Sequence, residues 1–201
     1  MINLVTIMQK RSGSGSADNT LKTYASYVRQ FIADPRATGS VIPSSAMLCH
    51  TMMNQADWGR SLAIAELGAA NGVLTNGILS RMRADAVLDA YEINPGFVDQ
   101  LQMINDRRLN VVAASAETLI NPYDIVFSCL PLLSLPLRVS MRILNQVRER
   151  MSSHSLFIQF QYSPLSEKLL SRYFHWQRIV VMRNVPPALV YVCTLRDREK
   201  I

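Results

Sequence analysis

The sequence predicts an α/β domain whose seven-stranded, mostly parallel sheet ends in an antiparallel hairpin and is preceded by an amphipathic helix. Three observations predict it. From Ser61 onward, short and nearly continuous apolar runs alternate with helical patterns, the signature of parallel strands covered on both faces. The last two runs are separated only by Arg183 to Ala188 (RNVPPA), too short a link for a crossover helix, so they pair antiparallel. Near the start, Leu21, Tyr24, Val28 and Phe31 recur at helical spacing.

Each element follows from its residues. Residues 1–19 form a flexible segment, since RSGSGSADN is rich in Gly and Ser and has no periodicity. Residues 20–60 form a helical cap. Within it Thr20 to Ala33 (TLKTYASYVRQFIA) reads as a helix with Thr20 as its cap, Tyr27 and Ile32 joining the apolar face, and Asp34-Pro35 as its end. Residues 61–201 form the main domain, with strands at 62–67, 87–92, 110–114, 124–129, 155–161, 178–182 and 189–195. Helices are expected at 73–82, 96–105 and 137–150, and no internal repeat is present.

Composition narrows the function. With 201 residues, 49% hydrophobic and 18% charged, the chain buries a real core, which excludes disordered and fibrous classes. Cys49, Cys129 and Cys193 form no CxxC pair and read as buried free thiols, and His50, His154 and His175 have no ligand spacing, so no metal site is expected. No apolar run reaches the ~20 residues of a spanning helix, and MINLVTIMQK is no secretory signal, so a cytoplasmic location is expected. The formal net charge is +6, but residues 61–137 carry 4 basic and 8 acidic side chains. An acidic stretch inside a basic chain points to a small-molecule site with its own carboxylates, flanked by surfaces suited to an anionic partner.

Two motifs carry chemistry. Glu66-Leu67-Gly68-Ala69-Ala70-Asn71-Gly72 closes the first strand and opens a helix, where glycines admit a ligand close to the backbone and free N–H groups face an anion. Twenty residues after Gly72, Glu92 in Tyr91-Glu92-Ile93-Asn94 stands at the tip of the second strand, where nucleotide-binding sheets keep a carboxylate for ribose hydroxyls.

On these residues the chain resembles the Rossmann-like class I S-adenosylmethionine-dependent methyltransferases: ELGAANG is similar to their first motif and YEIN to their second. GSVIPSS (from Gly39), SCLPLLSLP (from Ser128), QFQYSP (from Gln159) and RNVPPA then resemble the soluble bacterial phospholipid N-methyltransferases, relatives of the rRNA adenine dimethyltransferases. The resemblance implies stepwise methylation of phosphatidylethanolamine to phosphatidylcholine, with S-adenosylmethionine held by Glu66, Gly68, Ala69, Ala70, Asn71, Gly72, Glu92, Ile93, Ser115, Ala116, Glu117 and Ser128. Ala70 stands where the motif has a glycine, and Ser115-Ala116 replaces the usual Asp-Ala.

The acceptor amine is expected at Ser128, Leu130 and Pro131, the end of the fourth strand, where base-directed enzymes read N-P-P-Y or N-L-P-Y. Leu132 replaces the stacking aromatic, which suits a flexible alkyl amine over RNA, and no nucleic-acid partner is expected. Tyr162, following the fifth strand, is the catalytic candidate; Tyr24 and Tyr27, with Arg183 and Asn184 in the hairpin turn, are the substrate-binding candidates, Arg183 for the phosphodiester. The N-terminal helix, with Lys22 and Arg29 beside its aromatic face, suits an anionic membrane surface, hence peripheral association with the inner membrane. The rival readings are an RNA adenine methyltransferase, a small-molecule N-methyltransferase and a noncatalytic cofactor- or membrane-binding protein.

Overall fold

The structure, a computed structural model, describes residues 43–182 and 187–196. The expected helix over 20–33 with Lys22, Tyr24, Tyr27 and Arg29, the flexible segment before it, and Arg183 and Asn184 lie outside the described residues.

Helix α1 (Pro43–Met53) leads into strand β1 (Ala63–Leu67), followed by α2 (Val73–Leu79), β2 (Val87–Tyr91), α3 (Pro95–Gln102) and β3 (Leu109–Val112). A short 3-10 turn (Ala116–Thr118) precedes β4 (Tyr123–Ser128), α4 (Leu137–Glu149) and the long β5 (Met151–Gln161). A second 3-10 turn (Pro164–Ser166) and α5 (Glu167–Leu170) lead to β6 (Phe174–Val181) and β7 (Ala188–Leu195). The sheet has seven strands in the order β3-β2-β1-β4-β5-β7-β6. Strands β1 to β5 run parallel to one another. Only β7 is reversed: it lies antiparallel between β5 and β6, so β6 runs with the parallel set. The chain works outward from β1 to β3 and then crosses back to β4, which makes the β1–β4 boundary the topological switch point.

The seven expected strands and the three expected helices of the main domain are all present, with shifted ends. Strand β5 begins at Met151 rather than Ser155 because Ser152, Ser153 and His154 continue the extended chain with exposed side chains, where polar residues hide a strand from an apolar search. Strand β6 likewise begins at Phe174, four residues early, on its half-exposed edge of the sheet.

Alternation across each strand builds two cores. On β1, Ile64 faces a layer containing Leu48, Met52, Phe127 and Val190, so α1 and α2 cover that side; Ala65 and Leu67 face Val126, Phe157, Ile143 and Leu144 on the other. Helix α4 shows why it packs there: Ser140, Ile143, Leu144 and Val147 form one buried stripe while its arginines fall elsewhere on the helix. Ser140 Oγ donates to the Leu132 carbonyl at 2.7 Å and ties the preceding loop to that stripe. Helix α1 approaches α2 so closely that a Cβ at Gly77 would sit 2.8 Å from the Met53 sulfur.

Candidate functional site

The turn after β1 is shaped by left-handed demands at three alternate positions. Gly68 (φ 76°) and Gly72 (φ 79°) meet theirs without cost, but Ala70 (φ 48°) is the one non-glycine residue with positive φ among the described residues. Left-handed backbone costs a residue with a Cβ about 1–2 kcal/mol, so something must hold Ala70 there. Glu92 does: its Oε2 accepts the Ala70 N–H at 2.9 Å, while Oε1 accepts those of Ile93 and Asn94, both at 2.8 Å. One buried carboxylate thus joins the β1 turn to the β2 turn. An ionised carboxylate offers about four acceptor positions, so roughly one is left for a ligand.

A cavity of about 580 Å³ opens beside these turns at the carboxyl ends of the strands. Gly68, Tyr91, Glu92 and Ile93 form one wall, and Ala114, Ser115, Ala116 and Glu117 another. Leu130, Leu135, Pro136, Val139 and Ile143 supply an apolar wall from the β4–α4 segment, with Arg138 and Arg142 at its edge. Of the residues expected to bind a cofactor, Gly68, Glu92, Ile93, Ser115, Ala116 and Glu117 are therefore brought together, and Leu130 joins them.

Ser115 also shapes its own turn. Its Oγ caps the 3-10 turn by accepting from the Glu117 N–H at 3.2 Å, and lies 3.3 Å from Glu117 Oε2. The carboxylate on this wall belongs to Glu117, whose other oxygen accepts from Arg142 of α4. Beneath the cavity, Tyr91 and Tyr123 share a hydrogen bond of 3.0 Å and Tyr123 donates to buried Asp89 at 2.7 Å. Asn110 and Asn121 also donate to Asp89, at 3.0 and 2.9 Å. Burial first, then Tyr91 and Asp89, push the Tyr123 phenol far above its ordinary range, so it stays a donor.

Other expected residues stand apart from the cavity. Glu66 is buried on the opposite side of β1, where Thr75 Oγ1 donates to its Oε2 at 2.6 Å and its Oε1 has no partner among the described residues. Burial pushes its carboxyl up to about 8, with the Thr75 bond opposing and the Glu92 charge adding. Asn71 Oδ1 is likewise buried and unpartnered. Ser128 is fully buried, and its Oγ accepts from the Leu130 N–H at 3.3 Å. The Leu130 carbonyl takes hydrogen bonds from Gln159 Nε2 (3.1 Å), Gln161 Nε2 (2.9 Å) and the Leu132 N–H (2.9 Å), which leaves it no lone pair for an acceptor amine. Tyr162 packs edge-on against Phe160 at 5.4 Å, with the core cluster that α1 and α2 cover rather than with the cavity wall, and Pro131 also lies outside that wall.

Cys193 is buried as expected, whereas Cys49 and Cys129 are only half-buried as residues. Burial pushes the Cys49 thiol up to about 12 and Cys129 well above its ordinary value, so neither is a nucleophile at neutral pH. Arg138 and Arg142 are not among the residues expected at the site. Their spacing, i and i+4 beside the Leu135-Pro136 entry to the helix, is the signal that places both on one edge.

No protein-family model matches the chain. Over 185 residues it is 26% identical to the ornithine lipid N-methyltransferase of Singulisphaera acidiphila, covering 86% of this chain and 96% of that protein. Among solved structures it is similar to the N-methyltransferase NodS of Bradyrhizobium japonicum in complex with S-adenosylhomocysteine, with a TM-score of 0.71, 10% identity, and coverage of 87% of this chain and 99% of that one. It is also similar to the 1,6-didemethyltoxoflavin N1-methyltransferase of Burkholderia thailandensis, again with S-adenosylhomocysteine bound, at a TM-score of 0.67, 15% identity and 93% coverage of both chains. Strand order, the reversed β7 and these likenesses agree: the chain has the fold of the class I S-adenosylmethionine-dependent methyltransferases.

Proposed function

We propose that this chain is an S-adenosylmethionine-dependent N-methyltransferase acting on the head-group amine of a membrane lipid: phosphatidylethanolamine and its methylated intermediates, towards phosphatidylcholine. The observation that carries it is the cavity at the β1–β4 switch point, with the Glu92 carboxylate in its wall. The ornithine lipid N-methyltransferase that matches over nearly its whole length supports a lipid amine, and favours an ornithine lipid as the second candidate acceptor.

The residues present fit the cofactor. Glu92 keeps an acceptor position for a ribose hydroxyl, and Ile93 and Leu130 offer apolar surface to an adenine ring. Glu117, in the cavity wall, supplies a carboxylate that would accept from an exocyclic amine. The cofactor's sulfonium supplies an electrophilic methyl group. What the protein contributes is position and desolvation: the wall of Leu130, Leu135, Val139 and Ile143 disfavours an ammonium and favours the neutral amine that displacement needs. Peripheral contact with the inner membrane through the helix expected from the sequence over 20–33 completes this reading and draws on the basic and aromatic residues there. Incubation with labelled S-adenosylmethionine and, separately, phosphatidylethanolamine vesicles, ornithine lipid vesicles, RNA and soluble ethanolamine tests it. Label in a lipid supports the proposal, and label in RNA or the soluble amine alone overturns it.

A further inference from the structure

One guanidinium on the cavity lining has no partner among the described residues. Its lining carries two carboxylates and two guanidinium groups. Glu92 is committed to three backbone N–H groups, and Glu117 is paired with Arg142. Arg138 stands one turn before Arg142 on α4, is exposed, and has no hydrogen bond or ion pair among the described residues. A guanidinium stays charged at any working pH and presents a planar fork of donors matched to an oxyanion. Its neighbours Leu135, Pro136 and Val139 are apolar and offer it no acceptor side chain.

Resting on the lipid-amine reading above, we propose that Arg138 binds the anionic group of the acceptor and so selects zwitterionic head groups, in which an oxyanion is separated from the reacting amine by a short alkyl chain. Phosphodiester and carboxylate both satisfy this chemistry. The former is carried by phosphatidylethanolamine, the latter by an ornithine lipid. A contact of this kind is made equally before and during methyl transfer, so it acts on acceptor binding rather than on the chemical step.

The experiment compares wild type with Arg138→Gln and Arg138→Lys, using Arg148→Gln on the same helix as a control for lost charge. Turnover is measured with labelled S-adenosylmethionine in nonionic mixed micelles containing phosphatidylethanolamine, ornithine lipid, or stearylamine, an alkyl amine without an anion. Calorimetry adds S-adenosylhomocysteine affinity and, on the protein saturated with it, binding of glycerophosphoethanolamine. Arg138→Gln is expected to raise the apparent KM for the anion-bearing lipids about tenfold with kcat changed less than about threefold, and Arg138→Lys to recover part of the loss. S-adenosylhomocysteine affinity and the KM for stearylamine should change less than about twofold, and glycerophosphoethanolamine binding should weaken in parallel with the lipid KM. An effect on phosphatidylethanolamine alone assigns a phosphodiester site, and one on ornithine lipid alone a carboxylate site. Loss of S-adenosylhomocysteine affinity in Arg138→Gln, or an unchanged KM together with unchanged glycerophosphoethanolamine binding, overturns the proposal. If wild type methylates no lipid but binds glycerophosphoethanolamine through Arg138, the anion site stands and the lipid-methylation reading fails.

Discussion

Replacing Glu92 by Gln tests whether the β2 carboxylate is a structural clamp as well as a ligand contact. In the protein it accepts three backbone N–H groups at 2.8–2.9 Å. A glutamine keeps one carbonyl oxygen for Ile93 and Asn94 but turns an NH₂ toward the Ala70 N–H, setting donor against donor. Two charge-assisted bonds become neutral ones, at a cost of about 1 kcal/mol each, and one buried N–H is orphaned at about 1–3 kcal/mol. The expected loss of folding stability is therefore about 3–5 kcal/mol, a large share of a domain's total. Urea unfolding at neutral pH measures it, with an unchanged slope confirming that the same surface is exposed. Glu92→Ala should cost more, because every partner is orphaned. Loss of S-adenosylhomocysteine affinity must then be read well below the unfolding midpoint. A stability change under about 0.5 kcal/mol in Glu92→Gln would refute the clamp, since surface substitutions fall in that range.

Further outcomes follow from the same geometry. Ala70→Gly should stabilise the protein by up to about 1 kcal/mol, because relief of the left-handed Cβ outweighs the glycine's extra freedom in the unfolded chain; thermal unfolding that shows destabilisation would contradict this. Tyr123→Phe removes the buried hydroxyl bonded to Asp89 and Tyr91 and should cost about 2–3 kcal/mol in urea unfolding, while Asn110 and Asn121 still serve Asp89. Glu66 is raised from 4.5 to about 8, so the folded state holds its proton more tightly than the unfolded state. Its contribution is present below about pH 4.5 and is lost as pH rises to about 8; Glu66→Gln should remove that component from the stability-versus-pH curve, and unchanged curves would refute the assignment.

The legible parts of the fold were those where one physical requirement dominates the residue choice. AIAEL and DIVF had to be apolar on both faces because helices cover both sides of the sheet, so β1 and β4 could be read directly. Helix α1 was missed because PSSAMLCHTMM carries no acidic first turn and little contrast between faces. At the site, Glu92 was legible as an acid at a strand tip, but its commitment to Ala70, Ile93 and Asn94 was not, because backbone N–H groups leave no mark in a sequence. Glu117 could be placed near the cofactor, yet the exchange by which Ser115 caps the turn and Glu117 presents the charge depends on three-dimensional register. Arg138 carries no sequence signal of its own, because its significance comes from the cavity beside it.

Calorimetric titration of the purified protein with S-adenosylhomocysteine, repeated with Ala116→Trp to fill the cavity wall, tests the central claim most directly. The account predicts one-to-one binding to wild type and loss of about two orders of magnitude or more in the filled variant, whose urea midpoint should confirm that it still folds. No binding to wild type, or equal binding to a folded Ala116→Trp protein, would contradict the placement of the cofactor in this cavity.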